Sequence, residues 1–242
     1  MKVKLISITR PANGFMVGEV GDKVMDAEAL ITYCARVSNP KNQANMETAP
    51  KLIKFLIKHK HWSPFELASM CVEIKTSRAI AAQILRHRSF SFQEFSQRYS
   101  EATEIEPIEL REPAEKNRQS SSQPFDKRNE VYTLANKTME NSMKAYNDLI
   151  KSGVAKECAR AVLPLGTETT MYMNGTVRSW IHYLNLRTEE NTQKEHRDVA
   201  HAIKMIFVEQ FPNTSEALNW LGKKWRIVDD AGVDIDTGNF TG

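Results

Sequence analysis

The sequence predicts a single chain of mixed helix and strand, and three observations carry that expectation. Strand-like and helix-like segments alternate only loosely along the 242 residues. The composition is that of an ordinary globular protein, 41% apolar, 26% charged and 8% aromatic, which excludes collagen-like, disordered and disulfide-stapled chains. Glycine is only 10 residues, and neither a G-x-G-x-x-G nor a Walker loop occurs, so any nucleotide must be held some other way. The length alone leaves one large domain or two small ones open, at about 150 residues per domain. A chain of this size buries about 70% of its unfolded surface and needs no covalent staples.

The elements follow in order. Residues 2–9 alternate partly between apolar and polar and read as a strand. Residues 26–37 read as a helix. A stronger helix starts near Thr48, a candidate cap, with Pro50 in its first turn and Leu52, Phe55, Leu56 and His59 at helical spacing. Trp62-Ser-Pro-Phe breaks it. Residues 66–75 read as a strand, and Ser77 caps a short helix through about Leu85. Residues 112–126, with two prolines and three consecutive serines, read as a surface loop. A long helix over 127–151 ends at Gly153, and a second over 154–162 stops before Pro164. The threonine-rich stretch 167–176 reads as a strand. Helices at 177–186, 192–210 (halted by Pro212) and 213–225 complete the body. The tail 229–242, with three glycines, is expected to be loosely ordered. The body, 1–228, reads as one domain that carries the 112–126 loop, followed by a flexible acidic tail.

The charge is +3 overall, from 33 basic and 30 acidic residues. The 229–242 tail holds four aspartates and no lysine or arginine, so the body carries 33 basic against 26 acidic groups and is more basic than the total suggests. That balance suits small anionic ligands and is too weak to imply nucleic acid by itself. Three widely spaced cysteines, Cys34, Cys71 and Cys158, exclude a full disulfide framework and fit a reducing compartment. The N-terminus lacks a signal-peptide apolar stretch, and no run approaches the roughly 20 residues that span a bilayer. The expectation is a cytoplasmic protein with no membrane partner.

One segment concentrates chemistry. Residues 83–99 hold Gln83, Arg86, His87, Arg88, Glu94, Ser96, Gln97, Arg98 and Tyr99, three arginines and one carboxylate among hydroxyls. Guanidinium forks match phosphate oxygens, and serine hydroxyls can complete such a cradle. Two plainer readings compete: solvated, paired surface charge, or a stacking platform for single-stranded nucleic acid built on Phe90, Phe92, Phe95 and Tyr99. His59 and His61 read as a helix-end pair facing water, since a metal site lacks a third ligand. Cys158 lies two residues from Arg160 and reads as a packed helix cysteine.

Arg86-His87-Arg88, seven residues, then Ser96 resembles the signature of the flavin-dependent thymidylate synthases, and Glu94, Gln97, Arg98 and Tyr99 continue the match. His61-Trp-Ser63-Pro-Phe-Glu, Ala159-Arg160-Ala-Val-Leu-Pro164, Arg178 through Arg187, and Ala35-Arg-Val-Ser38 resemble further segments of that family. The likeness covers about residues 1–212.

The resemblance implies an α+β fold with a central antiparallel sheet flanked by helices, and a homotetramer whose active sites lie at subunit interfaces. It implies conversion of dUMP to dTMP, with methylenetetrahydrofolate as carbon donor, FAD as hydride carrier, NADPH as reductant and no metal. No cysteine sits in the motif, which agrees with leaving the hard chemistry to a cofactor. By resemblance, Gln83, Arg86, Glu94, Phe95, Ser96, Gln97, Arg98, Arg160 and Arg187 hold dUMP. Arg187 is the catalytic candidate, favouring ionisation of uracil N3, and Ser96 is a binding group because no base is evident to activate it. Ser63, Arg86, His87, Arg88, Glu94, Thr176, Val177, Arg178 and His182 match FAD-contacting positions, and His61 matches a histidine near flavin and folate. Arg178 and His182 are i and i+4, hence on one helix face. Thr176, His182 and Asn191 depart from residues common in the family, which suggests a divergent branch. The alternatives are a single-stranded nucleic-acid-binding module and an inactive nucleotide-binding relative.

Overall fold

A computed structural model describes residues 1–12, 15, 26–102 and 104–221, and the backbone of 227–228 and 234–235. Its elements follow local chemistry. Strand β1 (Lys2–Ile8) is followed by helix α1 (Ala27–Ala35), which Asp26 caps by accepting Ala29 N–H at 2.8 Å. Helix α2 (Ala49–Lys58) carries Pro50 in its first turn, and a short 3₁₀ turn spans Ser63–Glu66. Strand β2 (Ser69–Ser77) runs into α3 (Arg78–Ile84), where the Ser77 hydroxyl accepts Ile80 N–H at 3.4 Å. Next come β3 (Ser91–Glu94), β4 (Arg111–Pro113) and β5 (Ser121–Pro124). Helix α4 (Glu130–Lys151) ends at Gly153, whose φ of 84° is a left-handed turn that glycine adopts without strain. Helix α5 (Lys156–Ala159) leads through a 3₁₀ turn, Arg160–Val162, to β6 (Glu168–Thr176). Helices α6 (Val177–Arg187), α7 (Lys194–Gln210) and α8 (Pro212–Ala217) follow, then the short strands β7 (Ile227–Val228) and β8 (Asp234–Ile235).

Four strands form one antiparallel sheet in the order β1-β2-β6-β3. Strand periodicity sorts the side chains. Met70, Val72, Ile74, Met171 and Met173 are buried on one face, while Glu73 and Tyr172 meet on the other, the Tyr172 hydroxyl donating to Glu73 at 2.8 Å. Against the apolar face, helices α6 and α7 contribute Trp180, Leu184, Ile203 and Phe207, all fully buried. Trp180 keeps its indole N–H satisfied by donating to Met70 O at 2.9 Å. The α+β fold with a central antiparallel sheet flanked by helices is as expected.

Several element readings are corrected. Thr48 does not cap α2; its hydroxyl accepts from Arg36 Nη2 at 2.7 Å. The buried stripe of α2 is Ala49, Ile53 and Leu56, and Phe55 is half exposed. The second strand starts at Ser69 because Glu66 belongs to the turn that Pro64 opens. Strand β3 was not foreseen, since its four residues carry the polar signature rather than a β-branched run. The 112–126 loop contains the two-stranded ribbon β4–β5. Pro212 both stops α7 and opens α8, which is shorter than 213–225. Cys158 is exposed on α5 rather than packed. The loosely ordered tail, apart from the backbone of 234–235, lies outside the described residues.

One close approach locks the signature segment onto the sheet. Gly175 on β6 lies under the ring of Phe90, where a Cβ would stand 2.4 Å from Cδ1. Phe90 in turn meets the Trp180 ring edge-on at 4.6 Å and Tyr183 at 5.7 Å.

Candidate active site

Helix α6 organises the site. Thr176 caps it, accepting Ser179 N–H at 3.2 Å, and its 3.6-residue period directs different residues to different sides. Arg178, His182 and Asn185 line a groove of about 470 Å³ with Trp62, Glu66 and Ser89. Arg178 pairs with Glu66 there. This groove therefore joins α6 to the signature loop through Ser89. Its donors (Arg178, His182, Ser89) and its indole suit an anionic group that carries a planar ring.

At the end of the helix, Arg187 Nε donates to His87 Nε2 at 2.9 Å. Burial, followed by the charges of Arg187 and His182, pushes the His87 pKa down to about 4. His87 is thus neutral at pH 7, with its bare Nε2 turned to the guanidinium and its proton on Nδ1. Tyr183, one turn before Arg187, is buried, meets the His87 ring edge-on at 4.8 Å and lies 3.0 Å from His196 Nε2 through its hydroxyl. His196 Nδ1 is 3.2 Å from Gln83 Oε1. Burial, then Arg187 and His87, lowers the His196 pKa to about 3.

A second centre forms around Glu94 on β3. Its Oε1 lies 3.2 Å from Arg78 Nη1 and accepts from Thr169 Oγ1 at 3.0 Å. Beyond it, Ser96, Arg98 and Tyr99 share a groove of about 360 Å³ with Lys156 and Glu157 of α5. Arg98 Nη2 lies 3.2 Å from Glu157. Arg160 is exposed in the turn after α5, and Arg86, Arg88, Phe95 and Ser96 are exposed as well. Gln97 is 4% exposed, and its Nε2 has no hydrogen-bond partner.

The expected residues thus fall into two groups within one chain. His87, Arg178, His182 and Arg187 gather along α6, whereas Ser96 and Arg98 sit in a different groove with α5. Val177 is turned into the core, and its N–H donates to Ala68 O at 2.9 Å, so its side chain faces no groove. Ser63 is exposed at the start of its turn. His61 is exposed too, 6.1 Å from His59 and 5.9 Å from Phe55 between ring centres, a helix-end pair facing water as read. The stacking reading loses Phe90, which is 9% exposed and packed on Trp180. Among the described residues, no group of three or more His, Cys, Asp or Glu is placed to hold a metal, and no helix is long and apolar enough to cross a membrane.

Sequence reasoning missed Arg78, Tyr183, Asn185, His196 and Trp62. Asn185 was findable, being three residues after His182 on the same face. Trp62 sat inside a quoted motif. Arg78 follows the cap Ser77, but nothing in the sequence pairs it with Glu94, and nothing marks His196 as the neighbour of Gln83.

Residues 19–213 match the family described as thymidylate synthase complementing protein. A protein of Paramecium bursaria Chlorella virus 1 named "Probable flavin-dependent thymidylate synthase" is 52% identical over 91% of this chain and 100% of its own length. A flavin-dependent thymidylate synthase of Synechocystis is 48% identical over the same shares, 91% and 100%. Among solved structures, the UMP/dUMP methylase PolB from Streptomyces cacaoi bound with 5-Br dUMP superimposes with a TM-score of 0.75 at 26% identity, over 90% of this chain and 94% of that one.

Proposed function

This chain belongs to the flavin-dependent thymidylate synthase family, and we propose that it methylates dUMP reductively to dTMP, taking carbon from methylenetetrahydrofolate and reductant from NADPH with FAD bound. The observation that carries this reading is the pairing of α6 with the signature segment: Arg178 and His182 line one groove with Ser89, and Arg187 donates to His87. FAD would supply hydride transfer when bound. Arg178, His182, Ser89 and the Trp62 indole are the donors and ring that fit a pyrophosphate-bearing flavin.

The chain's own groups prepare the nucleotide. Arg187 is held at Nε by neutral His87, which leaves its Nη groups to face uracil N3 and to stabilise the negative charge that develops there. Arg98, Arg160 and the Ser96 hydroxyl would take the phosphate. Ser96 is exposed, and among the described residues no histidine is its hydrogen-bond partner to activate it, which favours binding over nucleophilic attack. Cys34, Cys71 and Cys158 are free thiols on α1, β2 and α5, outside the signature segment.

We further propose that residues 1–228 act as one catalytic domain of a cytoplasmic homotetramer. The two half-sites support this, because within one chain they line separate grooves that share no residue, so a complete site calls for a second subunit. Growth rescue of a thymidine-requiring host tests the activity. Wild type and Ser96→Ala should rescue and Arg187→Ala should not, while purified Arg187→Ala should still bind FAD. A colourless wild-type protein that cannot be loaded with FAD would sink the reading.

A further inference from the structure

A chain of hydrogen bonds leads away from the site toward the β4–β5 ribbon, and its polarity can be assigned from one end. Glu195 at the start of α7 receives Arg111 Nη2 at 2.7 Å on one oxygen and Gln193 Nε2 at 2.9 Å on the other. Burial raises the Glu195 pKa, but its own backbone N–H, Gln193 and Arg111 outweigh that, so it is lowered and the group is an ionised acceptor. A carboxylate can only accept, so Gln193 must turn its amide nitrogen toward it. The Gln193 oxygen is then left for Gln83, whose Nε2 lies 2.7 Å away. Gln83 Oε1 consequently faces His196 Nδ1, which must carry the proton, and His196 Nε2 is bare and accepts the Tyr183 O–H. His196 is fully buried, so no water competes for its ring.

The result is directional. The Gln83 amide has its oxygen turned to His196 and one N–H committed to Gln193, so the second N–H is the donor it has left to offer. We propose that His196, Gln193 and Glu195 are positioning residues that fix Gln83 with an N–H donor toward an oxygen of the bound nucleotide. This rests on the dUMP reading above and deepens it, because a free glutamine could present either a donor or an acceptor and would pay the entropy of choosing.

The test is calorimetric titration of dUMP into the FAD-loaded protein, with flavin absorbance as a separate count of occupied sites. His196→Leu and Gln193→Leu should each weaken dUMP binding about tenfold, the worth of one hydrogen-bonded orientation. His196→Asn, whose amide nitrogen can take the place of Nδ1, should bind within about twofold of wild type, and flavin occupancy should be equal in all. Merely structural damage would not be rescued by asparagine. If His196→Leu fails to fold, Gln193→Leu decides alone, because Gln193 is exposed and its loss leaves the core intact. Unchanged dUMP affinity in the leucine variants, or equal loss in His196→Asn and His196→Leu, would overturn the relay while the wild type still binds. A wild-type protein that binds FAD but no dUMP overturns the underlying reading as well.

Discussion

Arg187 and His87 are joined by a hydrogen bond, 2.9 Å from Nε to Nε2, in which the histidine is the acceptor. That polarity requires a neutral imidazole beside a guanidinium, and the lowered pKa of about 4 supplies it. His196, at about 3, is neutral for the same reason, with Arg187 and His87 as its charged or titratable neighbours. The sign follows. Both folded values lie below the ordinary 6.5, so the unfolded chain binds more protons from about pH 6.5 down to about 4 for His87 and about 3 for His196. Their contribution is complete above pH 6.5 and is lost as pH falls. Urea midpoints measured at pH 7.5 and pH 5 should drop, and His196→Asn should flatten that drop. An equal drop in wild type and variant contradicts the assignment.

Gly175→Ala should destabilise by about 1–3 kcal/mol, because the new methyl clashes with Cδ1 and Cε1 of Phe90 and the Trp180 ring packs against Phe90. The displacement also moves Ser89, so FAD affinity should fall together with the melting temperature. Phe90→Leu in the same chain should recover part of both.

Arg78→Ala should separate binding from stability. The pair with Glu94 is partly exposed, so its loss costs about 0.2–1 kcal/mol of folding. Among the described residues Glu94 then keeps Thr169 as its partner, and its carboxylate gains freedom to swing. Nucleotide affinity should fall several-fold while the thermal midpoint stays nearly constant; a large loss of stability with intact binding would refute the role.

Glu28→Ala tests the anchoring of α8. Glu28 is 2% exposed and accepts Thr214 N–H at 2.6 Å and Asn213 N–H at 3.1 Å, with Asn213 Nδ2 at 2.8 Å. Truncation strands these donors and should cost about 3 kcal/mol. Burial, the largest influence, raises its pKa despite those bonds. Its ionisation therefore opposes folding, and that cost is recovered as pH falls through the raised value, the reverse of the histidines.

Cys158→Ser should leave turnover and flavin binding unchanged, since the exposed thiol on α5 lies outside the signature segment. Complete loss of dTMP formation would point instead to a thiol acting in the reaction.

Most of the framework was legible because periodicity reports burial. Strands β2 and β6 and the capping residue Ser77 appear in the sequence as they act in the fold, whereas Thr176, read as the end of a strand, also caps α6. What escaped was polar and local. Strand β3 lacks an apolar signature because its job is to present Glu94 and its neighbours, and it is held mainly by β6. The ribbon at 111–124 was hidden by prolines and serines, which sit on an exposed two-stranded edge without penalty. Arg178 and His182 were readable from i,i+4 spacing, whereas Gln83 and His196, 113 residues apart, meet only because α3 and α7 pack together.

The position of β3 at the margin of the sheet has a dynamic consequence. It is the shortest of the four strands and pairs through Met171–Asn174 alone, while β2 is bracketed on both sides. Opening it breaks few bonds, so amides 91–94 should exchange with solvent well before those of β2. A nucleotide that engages Glu94, Phe95 and Ser96 would clamp the strand from its open side. Occupancy of the site and closure of the sheet then become one equilibrium, and the ligand serves as the missing neighbour of the last strand.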